Sequence, residues 1–451
     1  MPTLLLGIDL GTSYFKVGLF DASGALHGLG RIAVDAKSPA PGRIELPVPE
    51  FWDRLRRGLE SALHQAKAKV DQIAGVSYSS QANTFVLIDA AQTPLTPLIF
   101  WADQRARPLD PCLVEFGQSS FHGATTGMSG MVPELMSAKC AWLRRHDPAR
   151  WSRVRHILTV SDYLTFALTG ERCSDASTAA LTGLYSLPKR EWWPEALALF
   201  EIDADHLPTP LIPGTPCGRT HAQATRLLGL PTGIPFAVGA LDHHAAALGA
   251  GLGESSDASL SAGTVLAALV LTECVTPAPG CKHGPHTDGR RYYRLAFDPR
   301  GAGQLEEYQQ RHAPGLEISA LLERAEGAAR APEHPPAEHG PAVLALLLAM
   351  ARTQKALLDQ ASGGAVIRRI TATGGMARSA FWLQMTADIV GLPVAAGTSP
   401  ERACLGAAIF AARAAGVWPD EKTASARMVM PPRLFVPGVS VDRPESTKEI
   451  L

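Results

Sequence analysis

The chain has 451 residues, with 42 Lys+Arg against 43 Asp+Glu for a net charge of −1, and 46% of it is hydrophobic. At roughly 150 residues per domain this length allows two or three domains, and the even charge leaves no electrostatic footprint for nucleic acid or an anionic membrane. The amino terminus has no basic stretch ahead of an apolar one and no run approaches the roughly 20 apolar residues needed to span a bilayer, so the expectation is a cytoplasmic protein whose partner is a small molecule, with no nucleic-acid and no membrane partner.

Residues 4–34 alternate short apolar runs with turns at Gly11-Thr12 and Asp21-Ala22-Ser23-Gly24, which predicts a three-stranded meander. Pro49 suits a first helical position, and Phe51, Leu55, Leu59 and Leu63 recur every four residues, predicting a helix to about Lys69. Strands are expected near Ile73–Ser79, Thr84–Ile88 and Leu98–Trp101, and helices near Pro133–Arg145 and Ser161–Leu168. The class is therefore α/β.

Turn residues cluster at Pro231-Thr232-Gly233-Ile234-Pro235, after which the order of the beginning returns. A hairpin is expected at Leu260-Ser261-Ala262-Gly263-Thr264-Val265-Leu266, an echo of Ile8-Asp9-Leu10-Gly11-Thr12. One such hairpin in each half suggests two related domains facing each other across a cleft, where ligands tend to bind. The division falls into residues 1–234, 235–430 and a tail, 431–451, expected to be extended or frayed. The Pro- and charge-rich stretch Arg330–Pro341 predicts a surface loop before a long helix from about Ala342 to Gln360, and the β-branched run Val366–Thr371 predicts a strand before a helix Phe381–Val390. Seven cysteines, never in Cys-x-x-Cys spacing, read as reduced packing residues rather than a disulfide framework or a zinc site.

Four groups of residues could carry chemistry. In Asp9-Leu10-Gly11-Thr12-Ser13 the backbone N–H groups and hydroxyls can converge on an anion. A carboxylate beside a phosphate makes sense mainly with Mg²⁺ between them, although the same residues also make a plain hairpin turn. Gly374-Gly375-Met376-Ala377-Arg378-Ser379, between a strand and a helix, lets either a ligand or a neighbouring backbone approach closely. Asp242 could be an N-cap, or the carboxylate that takes the proton of an attacking hydroxyl. The neighbouring His243 and His244 point in different directions on a helix and lack a third ligand. Finally, Gln81-Ala82-Asn83 together with Trp101, Asp103 and Arg105 supply amides, charges and a ring face suited to a polyol.

The order of these motifs resembles the FGGY family of carbohydrate kinases over most of the chain. Asp9-Leu10-Gly11-Thr12-Ser13 with Lys16 resembles its first phosphate motif, and Gly263-Thr264 stands where its second would be. Gly374–Ser379 with Trp382 is similar to its adenosine motif, and Glu401 with Leu405-Gly406-Ala407-Ala408 to its closing helix. Trp101, Asp103 and Arg105 match its Trp-x-Asp-x-Arg, and Ser161–Gly170 followed by Asp175-Ala176-Ser177 fits the pattern that comes next. Asn83 stands where xylulokinases carry His, and His243 where they often carry Asn. Ala345 replaces a customary Glu, and the 314–341 region is short.

The resemblance implies two ribonuclease-H-like domains of the actin and hexokinase type around a central cleft, with ATP and Mg²⁺ as cofactors. It implies Asp242 as catalytic base and Asp9 as the carboxylate that holds Mg²⁺ through water. Gly11, Thr12, Ser13, Lys16, Gly263, Thr264, Gly374, Gly375 and Arg378 would bind the nucleotide, and Gln81, Ala82, Asn83, Trp101, Asp103, Arg105 and His243 the sugar. The expected reaction is phosphorylation of a hydroxyl on a small sugar or polyol, a ketopentose such as xylulose. An aldonate, deoxy-sugar or tetritol kinase, or a sugar- or nucleotide-binding regulator with reduced catalysis, are the alternatives. A homodimer is left open.

Overall fold

The computed structural model describes residues 3–253, 256–263, 265–301, 303–330, 337–397, 399 and 401–438. Thr264, residues 331–336 of the expected 330–341 loop and the tail beyond 438 lie outside the described residues.

Two seven-stranded sheets share one plan. In the first, Leu4–Leu10, Tyr14–Phe20 and Leu26–Ala33 form the expected antiparallel meander, and Leu4–Leu10 also pairs in parallel with Ile73–Ser80. In the second, Ala258–Ala262 and Leu266–Thr272 form the hairpin, and Ala258–Ala262 pairs in parallel with Ile370–Gly374. The first sheet reaches beyond residue 234, because Pro235–Ala237 and Ala240–Leu241 both pair with Ile73–Ser80. A smaller four-stranded sheet carries Phe85–Ile88 and Leu98–Ile99.

All seven residues of Leu4–Leu10 are buried, as expected of a strand covered on both faces. One cover is the helix Val48–Ala66, which buries Phe51, Leu55, Leu59 and Ala62 and ends on Lys67 in a left-handed conformation. The other is the helix Arg402–Ala414, almost wholly buried and rich in alanine. A Cβ on Gly7 would lie 2.0 Å from the Cys404 carbonyl oxygen, so only glycine lets this helix sit directly on the strand. A helix late in the chain thus locks onto its first strand and brings Glu401, at its start, to the first sheet.

Some boundaries differ from the sequence reading. The expected Pro133–Arg145 helix runs Met136–His146, and the Val366–Thr371 strand begins only at Ile370, where pairing with Ala258 begins. Val366 is 81% exposed, so its β-branched side chain reports propensity without a partner strand. In the described part of the tail, Arg433–Phe435 is extended and pairs antiparallel with Val394–Ala396 at the edge of the second sheet. The helix Gly340–Ser362 has 23 residues and is long and apolar enough by composition to cross a bilayer, contrary to the sequence reading. Its Val343, Leu347, Met350 and Leu358 are packed in the core of the second domain, which accounts for that apolar content. All seven cysteines are free, with Cys112 and Cys274 exposed.

Candidate active site

Asp9 lies near the carboxyl end of Leu4–Leu10, opposite Ser79, and Ser79 in turn lies opposite Ala240. Asp242 follows immediately after Ala240–Leu241, so both acids stand at the same end of two parallel strands that flank Ile73–Ser80, the usual place for a ligand in such sheets. Asp9 is 5% exposed and accepts a bond from Ser79 Oγ at 2.9 Å. Burial pushes its carboxyl up to about 6; Lys16 and Ser79 pull it down, while the charges of Asp242 and Glu401 add to the rise. Asp242 and Asp9 therefore feel each other electrostatically. Asp242 is the first helical residue of Asp242–Leu248, not its N-cap, which is Leu241; its Oδ1 accepts from the backbone N–H of His243 at 2.7 Å. His243 is half-buried beside it, whereas His244 is buried against the ring of Tyr293, 4.1 Å between centroids.

The strand end that carries Asp242 is pinned from below. Ser177 Oγ donates to Asp175 Oδ1 at 2.6 Å and accepts from Leu241 N at 2.8 Å. Asp175 Oδ2 accepts from Tyr78 Oη at 3.2 Å and Thr178 Oγ1 at 2.7 Å. Asp175 is wholly buried and burial raises its pKa, yet hydroxyl donors satisfy both oxygens.

Lys16 ties Asp9 to the start of the helix Arg402–Ala414, with Nζ 2.9 Å from Glu401 and 3.5 Å from Asp9. Burial alone would lower its pKa, but these two carboxylates hold it above the ordinary lysine value. Glu401 also receives Arg378 Nη2 at 3.4 Å. Asp9, Lys16, Glu401 and Arg378 thus form one line of alternating charge running from the Asp9 hairpin to the Gly374-Gly375 turn. On the second sheet Ala262 pairs with Gly374, which brings Gly263 beside the Gly374-Gly375 turn. Gly374 has φ +74°, and a Cβ there would lie 2.3 Å from the Ala262 carbonyl oxygen, so backbone packing by itself requires this glycine.

The hairpin also touches the expected sugar wall. Trp101 Nε1 donates to Thr12 Oγ1 at 2.9 Å, Gln81 Nε2 donates to the Gly11 carbonyl at 3.2 Å, and Thr84 Oγ1 donates to Gln81 Oε1 at 3.0 Å. Ser13 is exposed at the turn, and Ala82 is half-buried against the apolar cluster between the domains. Three polar side chains of the wall are already engaged by protein. Asn83, at φ +62°, gives its amide to the Leu181 carbonyl and takes Met136 N. Asp103, wholly buried, accepts from Ile44 N at 2.7 Å and from Arg105 Nε at 2.8 Å, and Arg105 also bonds Glu45. Asn83, Asp103 and Arg105 thus shape the wall, while Gln81 and Trp101 face the hairpin.

The sequence reading missed Lys139, a helix lysine with no periodic signal, and placed Glu401 only in the closing-helix motif, without its contacts to Lys16 and Arg378. Among the described residues no group of three or more His, Cys, Asp or Glu could hold a metal unaided. The oxygen donors at Asp9 and Asp242 nonetheless fit a hard cation shared with phosphates and water, and such a cation would oppose the rise in the Asp9 pKa.

The N-terminal domain model of the FGGY family of carbohydrate kinases matches residues 4–249, and the C-terminal domain model matches residues 294–415. The L-xylulose/3-keto-L-gulonate kinase of Escherichia coli K12 is 27% identical over 476 residues, covering 98% of this chain and 94% of that one. The glycerol kinase of Thermococcus kodakarensis is 26% identical, covering 100% and 95%. The crystal structure of xylulose kinase from Rhodospirillum rubrum shares the fold, with a TM-score of 0.81 at 24% identity, covering 96% and 94%. Fold and site together define a two-domain phosphotransferase of the actin and hexokinase type, with the hydroxyl of a sugar as acceptor. The chain belongs to the FGGY family of carbohydrate kinases.

Proposed function

We propose that the protein transfers the γ-phosphate of ATP to a hydroxyl of an open-chain sugar or polyol, most specifically a ketopentose of the xylulose kind, in the cytoplasm where ATP is supplied. The observation that carries this reading is the placement of Asp9 and Asp242 at the same end of two parallel strands that flank Ile73–Ser80, with Lys16 linking Asp9 to Glu401. In this reading Asp242 orients the acceptor hydroxyl and takes its proton at Oδ. Gly11, Thr12 and Ser13 from one hairpin, with Gly263 and Thr264, would bind the phosphates, and Gly374, Gly375 and Arg378 would take the nucleoside side. Asp9 would hold Mg²⁺ through water, and the metal would supply charge neutralisation of the phosphates.

The neutral-sugar reading is favoured over an aldonate by the state of the wall's cations. Arg105 is committed to Asp103 and Glu45, and Lys139 to three backbone carbonyls. Neither offers a free charge to a substrate carboxylate. The test is ADP release, coupled to an optical assay, over a panel of ketopentoses, aldonates, deoxy-sugars and short polyols. Sugar-dependent release with a ketopentose ahead of the aldonates is expected. Release that no sugar stimulates would favour a binding regulator, and an aldonate at the top of the panel would overturn the substrate class.

A further inference from the structure

Lys139 lies on the helix Met136–His146 and is completely buried. Its ammonium donates to the carbonyls of Phe100 at 2.7 Å, Trp101 at 3.0 Å and Asn83 at 3.3 Å. Three donors meet three acceptors, which is the full capacity of a protonated lysine. Among the described residues it forms no ion pair. A charge buried without a contacting carboxylate is costly, and an apolar side chain of similar length would serve packing better. What the charge does achieve here is specific: Asn83 and Trp101 belong to the two separate segments of the sugar wall, and one ammonium gathers both backbones. The same helix holds Asn83 a second time, through Met136 N.

We propose that Lys139 is a positioning residue for the sugar, setting the separation of the 81–84 and 100–105 segments and thereby the affinity for the acceptor. The proposal rests on the reading of these segments as the sugar wall. Burial lowers the lysine pKa to about 7; Asp103 and, more weakly, Cys140 and Glu134 oppose the fall, and Arg105 adds to it. Phe85, whose ring lies 5.9 Å from the ammonium, contributes no charge, and Glu45 is held by Arg105. Loss of the proton leaves two donors for three carbonyls and turns a lone pair towards one of them. The segments then loosen, and sugar binding weakens as pH rises through neutrality.

The experiment compares wild type, Lys139→Met and Trp101→Phe, using the best sugar of the panel and measuring KM for sugar and for ATP from about pH 6 to about pH 8.5. Lys139→Met is expected to raise the sugar KM about tenfold or more, with kcat and the ATP KM within about threefold, the equivalent of a few lost hydrogen bonds. The wild-type sugar KM should rise severalfold across this range, and that rise should vanish in Lys139→Met. A folded Lys139→Met protein with an unchanged sugar KM, beside a Trp101→Phe protein with a raised one, overturns the role of Lys139 alone. If neither substitution moves the sugar KM, the reading of the wall falls with it. If Lys139→Met does not fold, the wild-type profile decides: a rising sugar KM supports the proposal and a flat one overturns it.

Discussion

Replacing Asp9 with Asn should stabilise the protein while removing its activity. The folded state raises the Asp9 carboxyl from 3.8 to about 6, chiefly by burial. At 1.36 kcal/mol per unit, that difference of about two units corresponds to about 3 kcal/mol by which folding disfavours the charge. A carboxyl whose folded pKa lies above its unfolded value binds its proton more tightly in the folded protein. The penalty is absent below the unfolded value, grows between there and about 6, and is complete above. Asn carries no charge to bury, and Lys16 keeps its 2.9 Å partner Glu401. The substituted protein should therefore melt several degrees above wild type at about pH 8, with the gap closing as pH falls towards about 4. Its turnover should fall about 100-fold or more, because a metal-side carboxylate contributes several kcal/mol to phosphoryl transfer. Thermal melts across pH, paired with the ADP-release assay, measure both effects. A variant that melts below wild type at about pH 8, or a gap that does not change with pH, would refute the reasoning.

Other expectations follow from the same contacts. Wild-type kcat/KM for ATP should decline as pH drops through about 6, since protonated Asp9 no longer favours a metal; a profile flat down to about pH 5 would count against Asp9. Trp101→Phe removes the donor to Thr12 Oγ1 and should raise the sugar KM about three- to tenfold, as read from initial rates. Ser177→Ala leaves the buried Leu241 N–H unpaired beneath Asp242, a loss of about 1–3 kcal/mol. It should lower kcat about tenfold while leaving the sugar KM nearly unchanged; equal losses in both would point to general unfolding instead.

The repeated hairpins, the first helix and the Asp9 turn were legible because apolar alternation, glycine turns and helical spacing are local signals. The Gly374-Gly375 turn was legible from its glycines between a strand and a helix, and the Ala-rich run after Glu401 was readable by resemblance. What that run packs against was not, because the fit of Gly7 beneath Cys404 joins residues almost four hundred apart. The same limit applied at the sugar wall. A list of polar residues does not reveal that Asn83, Asp103 and Arg105 spend their polar atoms on other protein groups. Lys139 was invisible because a lone lysine on a helix ordinarily faces water, and only burial against three carbonyls sets it apart. The apolar Gly340–Ser362 helix shows the opposite case, where hydropathy is strong and the packing partner decides its meaning.

The most direct test of the account is the rate of γ-phosphate transfer from labelled ATP to the best sugar, in wild type and in Asp242→Asn. Removing a positioned general base should lower the rate about 10²–10⁴-fold while the melting temperature and sugar binding remain near wild type. Transfer within a few-fold of wild type would contradict the assignment of Asp242 as the proton-side carboxylate, and with it the division of labour between Asp242 and Asp9.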